Sequence, residues 1–250
     1  MWNREQRGDI RRKYNSRSNN RREIARRKIT RRENTRRGSA HRKFVRCAVV
    51  ISGAAAFIII ICALISTLLG KPPEVPQSEL PQINIQQKLL KKNQYSRPGK
   101  ALRKVRGIVV HYTANPGTDA VANRNYFNNL EEINKDREKK IYASSHFVIG
   151  LEGQIVQCIP LDEIAYASND RNSDTISIEC CHPDKSGEFN KATLTALKEL
   201  VTYLCIKYHL STEDIIRHYD VTGKLCPLYF VEHEDEWNSF KGEIGRTIRE

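Results

Sequence analysis

Gly107-Ile108-Val109-Val110-His111 is a short apolar run of β-branched residues that ends on an imidazole. Such a run reads as a buried strand, and a histidine at its end is delivered to the rim of a sheet. The segments that follow fill in around it. Thr118–Leu130 reads as a helix entered at Thr118, with Val121, Tyr126, Phe127 and Leu130 turned inward. His146–Gly150 and Gln154–Ile159 read as two strands joined by a turn at Glu152-Gly153. In Thr175–Cys181, Ile176, Ile178 and Cys180 alternate with Ser177, Glu179 and Cys181, giving a strand with two distinct faces.

Further on, Leu194, Leu197, Leu200, Val201, Leu204 and Tyr208 repeat at helical spacing behind Asn190, a natural N-cap. Ile215-Ile216 is a short strand leading into His218, and Trp237, Phe240, Ile244 and Ile248 mark a final amphipathic helix. Strands and helices mix without a clean βαβ alternation. The expected fold is therefore α/β, with a mixed central β-sheet and helices packed on it, over residues 105–250.

The first part of the chain has a different character. Residues 1–46 carry 18 Lys/Arg against 4 Asp/Glu, whereas the whole chain of 250 residues nets +13. The basicity thus belongs to a tail, and the rest is close to neutral. Arg-Arg pairs recur at 21–22, 26–27, 31–32 and 36–37. A five-residue step winds round a helix instead of building one face, so the tail reads as disordered or loosely helical. It suits either a nucleic-acid arm or a cytoplasmic tail against anionic lipid headgroups.

The next segment favours lipid. Residues 47–70 hold no charge and are long enough to span a bilayer core as one helix. Arg42, Lys43 and Arg46 flank one end and Lys71 stands alone beyond the other, which puts the N-terminus in the cytoplasm and the remainder outside. Both the basic region and the apolar run are too long for a cleaved signal peptide, so the segment reads as an uncleaved signal anchor. With the tail inside and the domain outside, no nucleic-acid partner is expected. Residues 71–104, with Pro72, Pro73, Pro76, Pro81 and Pro98, read as a proline-rich linker; Leu89–Lys92 is a short helix at most.

The chemistry gathers in His218-Tyr-Asp-Val-Thr-Gly-Lys-Leu-Cys226-Pro227. A His and a Cys eight residues apart, shaped by Gly223 and Pro227, suit zinc, which takes imidazole and thiolate readily. A catalytic zinc keeps three protein ligands and an open position, and His111 is the natural third donor. Taken singly, a strand-end His is more often structural and a lone Cys more often simply buried.

Four motifs in register carry more weight. His111-Tyr-Thr-Ala, Ser145-His-Phe-Val-Ile-Gly150, Thr175-Ile-Ser-Ile-Glu179 and His218-Tyr-Asp-Val followed by Lys224-Leu-Cys226-Pro227 resemble the zinc-dependent N-acetylmuramoyl-L-alanine amidases. That group includes the phage lysozyme-type amidases and the peptidoglycan recognition proteins. The resemblance implies one zinc ion on His111, His218 and Cys226. It also implies peptidoglycan as substrate, cut at the amide between N-acetylmuramic acid and L-alanine. Glu179 matches an acidic residue of the family and would carry the proton; Lys224 matches a lysine that would steady the developing oxyanion.

Two positions depart from the pattern. Ser145 stands where many relatives have Tyr, which leaves Glu179 as the leading proton carrier. Ala165-Tyr166-Ala167-Ser168 replaces an Ala-Trp-His-Ala-type groove motif. His146, Tyr112 and Tyr166 are the candidate substrate contacts, although a structural role suits His146 equally. Cys158, Cys180, Cys181 and Cys205 show no disulfide framework and read as buried free thiols. A peptidoglycan-binding module without turnover is the alternative, and the presence of Cys226 argues for catalysis.

Overall fold

The computed structural model describes residues 75–249, which belong to one compact unit. The basic tail and the apolar run 47–70 lie outside them. Among the described residues, no helix is long and apolar enough to cross a membrane.

Among the described residues six strands form one sheet: β1 (Ile85–Gln87), β2 (Gly107–Tyr112), β3 (Phe147–Ile149), β4 (Ile155–Gln157), β5 (Thr175–Cys180) and β6 (Ile215–Arg217). Their order is β1-β4-β3-β5-β2-β6. Only β3 and β4 run antiparallel, joined by the tight turn at Gly150–Gly153; every other pairing is parallel. The sheet is mixed, as the irregular alternation of elements predicts.

Both faces are covered, and strand alternation assigns each residue to a side. Ile108, Val110, Phe147, Ile149, Ile176, Ile178 and Cys180 face a layer made by α3 (Lys191–Tyr208) and α6 (Glu234–Thr247). In that layer Leu197, Leu200, Val201 and Leu204 of α3 meet Trp237, Phe240 and Ile244 of α6. Asn190 caps α3 by accepting from the Thr193 N–H at 2.9 Å. On the opposite face Val148, Val156 and Cys181 pack with Ala120 and Phe127 of α1 (Ala120–Asn128), followed by the single turn α2 (Leu130–Ile133).

Several expectations are corrected here. Asp119, not Thr118, caps α1, accepting from the Ala122 N–H at 2.6 Å. Tyr126 points to solvent while Phe127 is buried, because the helix begins later and its inward face is set by Ala120.

The larger correction concerns the proline-rich stretch. From residue 75 onward it is part of the domain, not a linker. β1 adds an edge strand parallel to β4, and Leu80, Leu90 and Leu102 are buried. No helix forms at Leu89–Lys92; the chain there is extended, with the Leu90 N–H donating to the Cys158 carbonyl at 2.8 Å. Arg97 then staples the segment down. It makes a two-pronged bond to Glu163 at 2.8 Å on each arm and reaches the Leu90 carbonyl at 2.8 Å. The prolines leave few N–H groups, and an edge strand needs few.

Candidate metal and catalytic site

Parallel register brings the site together. His111 stands opposite Glu179 across β2 and β5, and Val110 stands opposite Arg217 across β2 and β6. One residue further along each strand are His111 and His218, whose rings lie 4.7 Å apart between centroids. Side chains at paired positions of neighbouring strands share a face. Since Ile108 and Val110 face the α3/α6 layer, His111 and Glu179 face the other way, next to Val148 in the same row.

Cys226 arrives from the loop after α4 (His218–Thr222). Gly223 ends α4 in the left-handed region at φ +76°, a conformation a side chain would resist. The Tyr219 N–H then donates to the Cys226 carbonyl at 2.9 Å, closing the loop onto its own start. The short helix α5 (Leu228–Glu232) follows. One donor atom from each of His111, His218 and Cys226 lies within 4.8 Å of the others, and all three residues are buried. Cys226 Sγ is 3.8 Å from His111 Nδ1.

This donor set fits a zinc ion. Burial, then His218 and Lys224, hold the His111 imidazole well below its ordinary range; burial and Lys224 lower His218 as well. Both rings are therefore neutral near pH 7, the state in which imidazole ligates. The His218 Nδ1 is buried without a hydrogen-bond partner, an orphaned lone pair that a cation would satisfy. Burial and Glu179 push the Cys226 thiol up to about 12, while the Tyr112 backbone N–H and Lys224 pull it down. A coordinated thiol loses its proton outright, so the metal-free value is no obstacle.

Glu179 is a further polar group in an unusual setting. Its Oε2 is sealed and lacks a hydrogen-bond partner. Burial raises its carboxyl to about 8, against the pull of Lys224. A carboxyl raised by burial beside the His111 imidazole and the Cys226 thiol suits proton transfer. Lys224 itself is exposed on the loop and acts on His111, His218, Glu179 and Cys226 through its charge.

The candidate substrate contacts fare differently. His146 is buried, and both ring nitrogens are taken. Its Nδ1 accepts from the Ser177 N–H at 3.0 Å, and its Nε2 faces the Glu163 carbonyl at 2.9 Å. Burial lowers it to about 4. His146 thus ties β3 to β5 and to the 163 loop as a neutral ring, and the substrate-contact expectation is corrected to a structural one. Tyr112 is half-buried at the end of β2, its ring 5.1 Å from that of His182. Tyr166 packs edge-on against the exposed Tyr142 at 5.8 Å, and Tyr142 lies 5.3 Å from Tyr95. Cys158, Cys180, Cys181, Cys205 and Cys226 are free and buried, Cys180 and Cys181 on opposite faces.

Arg217 had no role in the sequence reading. It is buried at the end of β6 and fastens the ligand loop from three sides. It donates to Asp220 at 2.9 Å, to the Phe230 carbonyl at 2.9 Å and to Glu234 at 2.6 Å. Its guanidinium lies 5.4 Å from the ring centres of both Tyr219 and Trp237. The Asp220 spacing at i+3 was the only signal in the sequence.

Known proteins agree with this architecture. Residues 101–228 match the N-acetylmuramoyl-L-alanine amidase family. The chain is 37% identical over 178 residues to N-acetylmuramoyl-L-alanine amidase CwlL of Bacillus licheniformis, covering 66% of this chain and 48% of that protein. It is 33% identical over 173 residues to N-acetylmuramoyl-L-alanine amidase BlyA of Bacillus subtilis (strain 168), covering 61% and 44%. The chain thus spans about half the length of the curated relatives it matches. Among solved structures, the catalytic domain of XlyA superposes with a TM-score of 0.53 at 30% identity, covering 65% of this chain and 100% of that one. A mutant endolysin from Bacillus subtilis gives 0.53 at 31% identity, covering 66% and 100%. By the extent of the family match and the shared fold, this chain belongs to the N-acetylmuramoyl-L-alanine amidase family.

Proposed function

We propose that the chain hydrolyses the amide between N-acetylmuramic acid and L-alanine in peptidoglycan, using one zinc ion held by His111, His218 and Cys226. The observation that carries this reading is the convergence of two neutral imidazoles and a thiol, with the half-buried Glu179 carboxyl opposite His111. CwlL and BlyA, which bear the name of this activity, support the substrate.

An amide has a weakly electrophilic carbonyl and a poor leaving group. Zinc, when bound, supplies Lewis acidity towards the carbonyl and acidifies water. The chain's residues do the rest. Glu179 takes the proton of the attacking water and returns it to the departing nitrogen, a task for which its place opposite His111 on the neighbouring strand suits it. Lys224, the cation of the loop, offsets negative charge as it grows on the carbonyl oxygen. Tyr112, at the end of β2, and Tyr166 are the proposed substrate contacts.

The domain sits outside the cell membrane on a single-pass anchor at 47–70, with the basic tail against anionic lipid headgroups in the cytoplasm. The charge asymmetry around that run supports this orientation.

Digestion of purified peptidoglycan by the full chain in detergent tests the reaction. New L-alanine amino termini, abolished by chelator and restored by zinc, are expected. New reducing sugar ends, or binding without any cleavage, would contradict it.

A further inference from the structure

The loop between β4 and β5 contributes two side chains that the reaction scheme above leaves without a task. Ser168 Oγ lies 3.2 Å from His111 Nε2, and Asn169 Oδ1 lies 3.2 Å from His218 Nε2. Two neighbouring residues thus each engage one of the two clustered imidazoles, both at the nitrogen away from Nδ1. At Nδ1 the surroundings are different: that of His111 faces the Cys226 sulfur, and that of His218 has no partner.

We propose that Ser168 and Asn169 are positioning residues that hold both imidazoles with Nδ1 free to bind the metal. With its Oδ1 turned to the ring, Asn169 accepts from a hydrogen on His218 Nε2, which leaves the lone pair on the orphaned Nδ1. Serine is more permissive, since its hydroxyl donates or accepts. It accepts from His111 Nε2–H once Nδ1 is the donor atom.

The backbone is built to present these groups. Asn172 Oδ1 accepts from both the Ala167 and Ser168 N–H groups, at 2.9 and 2.6 Å, and the Arg171 N–H donates to the Ser168 carbonyl at 3.0 Å. Ser168 is buried. Asn169 adopts φ +51°, in the left-handed region that asparagine tolerates better than most side chains. A glycine would suit that backbone better, but would provide no acceptor. The loop's closure runs through Asn172 and Arg171, so the Ser168 and Asn169 side chains are not needed for it.

This inference rests on the zinc reading, and the two can fail separately. Zinc affinity of the full chain, measured against a competing chelator, is compared among Asn169→Gly, Asn169→Asp and Ser168→Ala. Asn169→Gly keeps the left-handed backbone and removes the acceptor, and is expected to weaken zinc binding about 10- to 100-fold. Asn169→Asp restores an acceptor oxygen and should return affinity to within a few-fold of the parent, by the same reasoning. Ser168→Ala should also weaken binding. In the metal-free parent with ¹⁵N-labelled histidine, the His218 proton is expected on Nε2. Parent-like zinc affinity in Asn169→Gly, or a His218 proton on Nδ1, would overturn the inference while leaving the zinc reading intact. A parent chain that binds no zinc would overturn both. Should Asn169→Gly fail to fold, the tautomer of the parent still decides.

Discussion

Replacing Glu179 with glutamine keeps the shape of the side chain and removes its charge. The carboxyl is raised from an ordinary 4.5 to about 8, chiefly by burial and against Lys224, and its Oε2 has no hydrogen-bond partner. The folded protein therefore holds this proton over a pH range in which the unfolded chain has released it. The contribution to stability is full below 4.5 and is lost as pH rises through about 8. Glutamine does not titrate. Glu179→Gln should accordingly gain on the parent by about 1.4 kcal/mol per pH unit across that window, in metal-free protein. The difference reaches about 3 kcal/mol at pH 7 and levels off at about 5 kcal/mol above pH 8, as upper values for a group with some exposure. Urea melts in the presence of chelator, at whole pH steps from 4 to 9, give the curve. With zinc restored, the same variant should keep its metal and lose about 10²- to 10⁴-fold in turnover, the range for a general acid–base group. Parallel stability curves for parent and variant would refute the burial argument. Parent-like turnover would remove Glu179 from the mechanism.

Lys224→Gln should lower turnover and move the acidic limb of the pH–rate profile to higher pH, because Lys224 favours the ionised form of Glu179; an unmoved limb would separate the two residues. Arg217→Met should destabilise the domain by about 2–4 kcal/mol in denaturant melts, as the charge partners Asp220 and Glu234 are left behind, though both can still reach water. Leu90→Ala should cost about 2–5 kcal/mol, since the side chain is buried; a negligible effect would return this stretch to the status of a linker. His146→Gln should lower the melting temperature while leaving KM near that of the parent, as both ring nitrogens are engaged within the protein.

Much of the domain was legible because its strands are short runs of β-branched residues and its two long helices keep a regular apolar spacing. Glu179 could be assigned to the non-core face from the alternation of Ile176 and Ile178 alone, and the structure puts it there. The meeting of His111 and His218 was less accessible. It depends on the register of β2 with β6, which no local pattern encodes. The stretch 75–104 misled because its prolines are dense and its buried residues, Leu80, Leu90 and Leu102, are too far apart to show a period. It is held instead by backbone bonds to Gln157, Cys158 and Asp162 and by the Arg97–Glu163 pair. Ser168 and Asn169 were invisible for a related reason. Ser-Asn-Asp-Arg-Asn-Ser announces a turn, but the partners of its side chains are set by tertiary packing.

The most direct test of the account is zinc-edge X-ray absorption on the purified full chain. Two imidazole nitrogens at about 2.0–2.1 Å and one sulfur at about 2.3 Å are predicted, with a remaining light-atom ligand. Cys226→Ala should lose the sulfur shell. A zinc shell of nitrogen and oxygen alone in the parent, or a sulfur shell that survives in Cys226→Ala, would contradict the assignment of His111, His218 and Cys226 as the metal site.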